Sequence, residues 1–246
     1  YLRDGFWAKS FKEELPIPRL SVRFFVKIED VSEKINSKLN DKMSFEERSK
    51  MVQTISKEIQ DNATKDNKYT ARVQSFFNGN SFYLVMYEIF EDVRLVGTPP
   101  ESIGKFGHDT DNWVWPRHTG DFSIFRVYMS PEGKPAKYSE DNVPLKPKYH
   151  LPVSIKGVKK DDFTMVIGFP GRTNRYMTSY GIEELINISN ANRIKIRGVR
   201  QDIMMEDMKA DEKIRIQYSS KFSRSSNYWK NSIGMNKGLK SLNVYD

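Results

Sequence analysis

Cysteine is absent from the 246 residues, and histidine occurs only three times, at positions 108, 118 and 150. The first absence removes any disulfide framework and any thiolate metal site, while leaving cytosol and periplasm equally open. The second leaves no imidazoles at ligand spacing with an acid, so neither a metal centre nor a cofactor is expected. No apolar run is long enough to span a bilayer, so no membrane span is expected. Concentrated positive charge is missing too. The net charge of +8 comes from 40 basic residues dispersed among 32 acids, and Lys156, Lys159 and Lys160 are followed at once by Asp161 and Asp162. With no arginine-rich arm and no recognition motif, a nucleic-acid partner is not expected. There is no internal repeat and no low-complexity tract. Tyr1 is not a translation start and no charged-then-apolar leader precedes it, so the amino terminus reads as processed or cut.

What is present is a pattern that changes along the chain. Leu20–Ile28 reads as a strand, after which Asp30-Val-Ser-Glu33 and Ser44-Phe-Glu-Glu47 each place an acid three residues after a capping residue. Met51, Val52, Ile55 and Ile59 then recur at helical spacing, so two amphipathic helices interrupt the strands. Residues 68–77 and 80–90 are rich in aromatic and β-branched side chains, and Asn78-Gly79 between them suits a tight hairpin turn. Ser130–Pro152 holds five prolines and reads as loop with short edge strands. Phe163–Phe169 is an apolar run fit for a buried strand, ended by Pro170 and Gly171. Beyond Gly171, Ile196, Val199 and Ile203 step by three and four, and Ile214, Tyr218 and Phe222 step by four, so helix replaces strand. Gly198 is a weak point in that pattern. Composition therefore places a boundary near Gly171.

The densest chemistry lies in Asn112-Trp-Val-Trp-Pro-Arg-His-Thr-Gly-Asp-Phe122, which has no regular period and so orders at an entropic cost with no clean face to bury. Alternating residues follow it to Met129, so Asp121 would stand at the mouth of a strand, held rigidly and partly out of water after the permissive Gly120. Such an acid can orient an imidazole. From the residues alone, Asp121 as a turn cap beside Gly120 stands ahead of that role.

The segment resembles the surroundings of the acidic triad member in the dipeptidyl-peptidase 7/11 family of serine exopeptidases. Asp4-Gly-Phe-Trp-Ala-Lys9, Glu13-Glu-Leu-Pro-Ile17, Gly168-Phe-Pro-Gly171 and Ser225-Ser-Asn-Tyr-Trp-Lys-Asn-Ser-Ile-Gly234 match the same family in the same order. The resemblance reverses the ranking for Asp121 and implies a fold class: mixed β and α, part of a chymotrypsin-like double β-barrel followed by the start of an inserted α-helical domain. Residues 1–171 would be the first-barrel part, with two inserted helices near 30–62, and residues 172–246 the beginning of the helical cap.

The resemblance also implies the activity, release of dipeptides from the free amino terminus of oligopeptides by a Ser-His-Asp acyl-enzyme mechanism. Asp121 would be the catalytic acid; the histidine, in a His-His-Cys-Gly type segment, would precede Tyr1. The serine would lie in a Gly-Asn-Ser-Gly type turn of the second barrel, which makes Gly79-Asn-Ser81 a chance match and Ser81 a strand residue. Asn112 Oδ1 would accept from the substrate's α-amino group, and Trp113 would supply a wall or a further polar contact. As a bland alternative, Asn112 forms an Asx-turn and Trp113 and Trp115 are core aromatics, the reading preferred for Trp115. His118 reads as structural, and Arg117 is expected to point away from Asp121, whose basicity it would lower. Ser225–Gly234 is assigned no chemistry. Relatives of this kind imply a signal peptide in the precursor, export to the periplasm or cell surface of a Gram-negative bacterium, and a homodimer. The competing function is a non-catalytic peptide- or glycan-binding module using Trp113, Trp115 and Arg117.

Overall fold

The computed structural model describes residues 1, 3–168, 174 and 176–244. These form two compact units, Tyr1–Pro100 with Phe122–Leu151, and Glu101–Asp121 with Pro152–Asp246. The boundary expected at Gly171 falls outside the described residues, as do Phe169 and Pro170.

In the first unit, β1 (Phe6–Trp7) and β2 (Leu15–Pro16) pair with successive stretches of one long neighbour. β3 (Val22–Asp30) leads into α1 (Ser32–Asn36) and α2 (Phe45–Thr64). β4 (Thr70–Phe76) and β5 (Ser81–Phe90) form the anticipated hairpin, with Asn78 and Gly79 at φ 58° and 90°. Ser81 is the first residue of β5, as a strand residue should be. β6 (Asp92–Thr98), β7 (Ile124–Met129) and β8 (Val143–Pro144) complete an antiparallel, curled half-barrel sheet with β1 and β2, while β3, β5 and β4 make a second sheet.

Helix α2 begins where the sequence places it. Ser44 Oγ accepts from Glu47 N (3.3 Å), and Glu47 Oε2 accepts from Ser44 N (2.8 Å), closing the capping box. Ile55 is buried, with Val52 and Ile59 beside it, against Val31, Ile35, Phe82, Leu84 and Met86. Across this seam Gln60 Oε1 accepts from Val73 N (2.8 Å), so helix and hairpin share a polar tie as well as a core.

Charged groups are buried between β6 and the loop after β7. Arg94 forks onto Asp92 through Nε (3.0 Å) and Nη2 (2.7 Å) and lies over the Tyr128 ring, and Asn142 Nδ2 donates to Asp92 (2.9 Å). Burial would raise the Asp92 carboxyl, but hydrogen bonds from Arg94 and Asn142 hold it below the usual carboxylate range. Tyr128 Oη donates to Glu14 (2.8 Å); burial and that hydrogen bond push the phenol up to about 12.

The second unit holds α3 (Glu101–Gly104), a 3₁₀ turn at His108–Thr110, α4 (Ser179–Glu184), a π-helical turn (Leu185–Asn190), α5 (Ala191–Ala210) and α6 (Glu212–Ser241). Helices follow residue 171 as the periodicity requires, yet Ile196, Val199 and Ile203 face solvent. The buried side of α5 is Gln201, Met204 and Met208, and α6 meets its neighbours with Ser225, Ser226 and Ser232. Small and flexible side chains let two helices approach closely where a branched stripe would not. Gly198 is where the Trp229 indole crosses α5; a Cβ there would lie 3.4 Å from Nε1, which donates to Ile194 O (3.0 Å).

The strand expected at Phe163–Phe169 does not form over its described residues, 163–168. Phe163 is 87% and Val166 98% exposed. An apolar run becomes a strand only where a neighbour supplies ladder hydrogen bonds, and no described strand pairs with it.

Candidate functional site

The chemistry-bearing loop is a short path held at several points by α6. Glu101 receives Arg215 Nη1 (3.3 Å), and Lys105 Nζ donates to Ser219 Oγ (3.0 Å). Gly107, at φ 80°, lies against the Asp111 side chain, so a side chain there would strain the backbone and displace that carboxylate. Gly120 donates its N–H to Ile103 O (3.0 Å), and a Cβ there would meet Ile103 Cγ2 at 2.9 Å. Its requirement is thus close approach rather than backbone freedom.

Asn112 and Trp113 converge on one partner. Asn227 Oδ1 accepts from Asn112 Nδ2 (3.2 Å) and from Trp113 Nε1 (3.0 Å), and Asn227 O accepts from Trp113 Nε1 as well (3.2 Å). The Trp113 backbone is left-handed at φ 60°, a costly state for a bulky residue, and its indole hydrogen bonds hold it there. With Nδ2 engaged, Asn112 Oδ1 is an uncommitted acceptor among the described residues. Trp113 remains 55% exposed.

Asn112 and Asp121 line the same cleft of about 1010 Å³, together with His108, Met208, Phe222 and Asn227. Asp121 is exposed rather than partly out of water, and the following strand, β7, starts only at Ile124. Its carboxylate makes no hydrogen bond or ion pair among the described residues. Arg117 turns away, donating from Nε to Val114 O (3.2 Å), and His118 is exposed without a hydrogen bond to Asp121. Trp115 is 86% exposed, so its reading as a core aromatic is incorrect; it follows the tight turn outward instead of packing inward. Among the described residues no group of three or more His, Asp or Glu side chains could hold a metal, and no helix is long and apolar enough to cross a membrane.

The stretch Ser225–Gly234, given no chemistry above, supplies two side chains that organise the site. Asn227 is one. Lys230 is the other, its Nζ donating to Asp109 O and to Thr110 O (3.1 Å). The available signal was two polar residues spaced three apart in a helix whose Trp229 between them packs on α5.

The described residues thus combine a curled antiparallel half-barrel sheet with helices, and Asp121 and Asn112 line one cleft. The model of the Peptidase S46 family matches residues 1–246, and the chain belongs to that family. It is 51% identical over 244 residues to Dipeptidyl-peptidase 7 of Porphyromonas endodontalis, covering 99% of this chain and 30% of that protein. It is 46% identical over 240 residues to the Asp/Glu-specific dipeptidyl-peptidase of Capnocytophaga gingivalis, covering 98% and 34%. The crystal structure of Porphyromonas endodontalis DPP11 with the dipeptide Arg-Asp superposes with a TM-score of 0.89 at 41% identity, covering all of this chain and 36% of that one. The chain thus spans about a third of the length of the curated relatives it matches.

Proposed function

We propose that the whole protein is a serine-type dipeptidyl-peptidase that removes dipeptides from oligopeptides with a free amino terminus, and that this chain supplies Asp121, Asn112 and Trp113. The observation that carries the reading is the cleft shared by Asp121 and an Asn112 whose Oδ1 is free to accept. A substrate ammonium has three donors and no acceptor, so an uncommitted amide oxygen complements it. In this reading Trp113, tied through its indole N–H to Asn227, supplies a wall or a further polar contact next to that acceptor.

The histidine and the serine come from outside these 246 residues. Asp121 accepts the imidazole Nδ1–H and holds the tautomer whose Nε2 takes the serine proton. The serine oxygen then attacks the second peptide carbonyl, the imidazolium protonates the departing amine, and water releases the dipeptide from the acyl-enzyme. An exposed carboxylate without a partner of its own is available for that contact. In the same reading residues 1–171 belong to the first barrel and residues 172–246 open the helical cap. The protein is exported to the periplasm or cell surface behind a signal peptide and acts as a homodimer without metal or cofactor.

The full-length enzyme is expected to cleave dipeptides from free peptides and to leave the same peptides intact once the α-amino group is acetylated. Asp121→Asn should fold normally and lose about four orders of magnitude in kcat. Near-normal turnover in that variant removes Asp121 from the triad, and saturable peptide binding without cleavage, unaffected by acetylation, favours a binding module.

A further inference from the structure

We propose that Lys230 is a positioning residue for amino-terminal recognition, acting through the backbone of the turn that presents Asn112. The inference rests on Asn112 being the acceptor for the substrate's ammonium group. Lys230 lies on α6 three residues beyond Asn227, close to one turn along the same side of the helix. Its Nζ donates to the carbonyl oxygens of Asp109 and Thr110, the last two residues of the 3₁₀ turn. Asp109 O also accepts from Asn112 N (3.3 Å). One carbonyl therefore receives both the lysine and the backbone amide of the residue that reads the substrate.

The arrangement has a physical reason. Among the described residues Thr110 O accepts from no backbone N–H, and a cation that completes the carbonyls at the end of the turn is favourable. Asp109 lies within the turn and Asp111 directly after it, yet among the described residues Lys230 pairs with neither carboxylate. Its donors go to the main chain. A second ammonium near a site that reads an ammonium works against ligand binding by repulsion, so its place there is accounted for by what it holds. Asn227 secures the Asn112 side chain through Nδ2 and Lys230 secures the turn that carries its backbone, and among the described residues Oδ1 accepts no hydrogen bond.

The test compares full-length wild type with Lys230→Met and Lys230→Arg on a dipeptidyl substrate with a free amino terminus and on its N-acetylated form. Lys230→Met is expected to raise KM for the free substrate by about tenfold or more while kcat changes by less than about threefold, as loss of charge-assisted hydrogen bonds used for positioning predicts. Lys230→Arg, which keeps donors for both carbonyls, should restore most of that loss. Hydrogen exchange should be faster at residues 109–113 in Lys230→Met and near wild type in Lys230→Arg. An unchanged KM overturns the proposal, and so does a fall in kcat matched by global loss of stability. If Lys230→Met does not fold, Lys230→Gln takes its place. A wild type that ignores acetylation sinks the exopeptidase reading instead; the positioning role is then decided by the exchange at 109–113 alone, faster exchange upholding it and unchanged exchange overturning it.

Discussion

Asn227 spends one carboxamide oxygen on two donors, the amide of the cleft-lining Asn112 and the indole of the adjacent Trp113. Replacing it by alanine leaves Trp113 with a single backbone acceptor and frees the Asn112 amide to rotate. In the full-length enzyme Asn227→Ala should lower kcat/KM for free peptides by about tenfold or more, with most of the change in KM, measured by initial rates. Asn112, Trp113 and Asp121 stand out as candidates in the sequence because they crowd one loop with residues that no regular element would choose. Asn227 was not legible as their partner. It lies more than a hundred positions away, and its helix offers the same period whichever side faces the loop. The exposure of Asp121 and Trp115 was equally hidden, since alternation reports what a strand would bury and neither residue is in one.

At the scale of elements, local chemistry decides the outcome wherever the partner is near in sequence. The capping box at Ser44 and the hairpin at Asn78-Gly79 use residues within a few positions of each other, and both form where the sequence places them. Ser44→Ala removes the acceptor for Glu47 N and is expected to cost about 1 kcal/mol, read as a lower midpoint in thermal unfolding. Where the partner is remote, the pattern is insufficient. Phe163 to Gly168 has strand composition but no described strand to pair with, and the Ile196, Val199, Ile203 stripe lies on the side of α5 away from its serine-rich neighbour. Helical spacing identifies the element; it does not say which of its sides meets a neighbour.

For the molecule as a whole, ionisation sets the pH range of the native state. Glu29 accepts hydrogen bonds from Lys27 and Lys34, which lower it to about 2, and Asp92 is held low by Arg94 and Asn142 against the cost of burial. Both carboxyls bind protons less readily when folded than when unfolded. Their contribution is therefore present above the unfolded values near pH 4 and is lost as pH falls from about 4 towards about 2. Tyr128 works in the opposite direction: its proton is held up to about 12, so its contribution is full below about pH 10 and is lost as pH rises through the folded value. Denaturant midpoints should be flat near neutrality and drop on the acid side. Asn142→Ala, by removing a donor to Asp92, should lower the neutral midpoint and shrink the acid-side drop. The sequence by itself determined the strand, helices and hairpin between Leu20 and Phe90, the capping box at Ser44, the turn at Asn78-Gly79, the composition of the loop at 112–122 and the family resemblance, because each depends on residues that are close along the chain. Only the tertiary structure decided that α6 grips that loop, that Asn112 keeps one oxygen free, and that Asp92 and Arg94 are buried together, because those contacts join positions that no short-range rule relates.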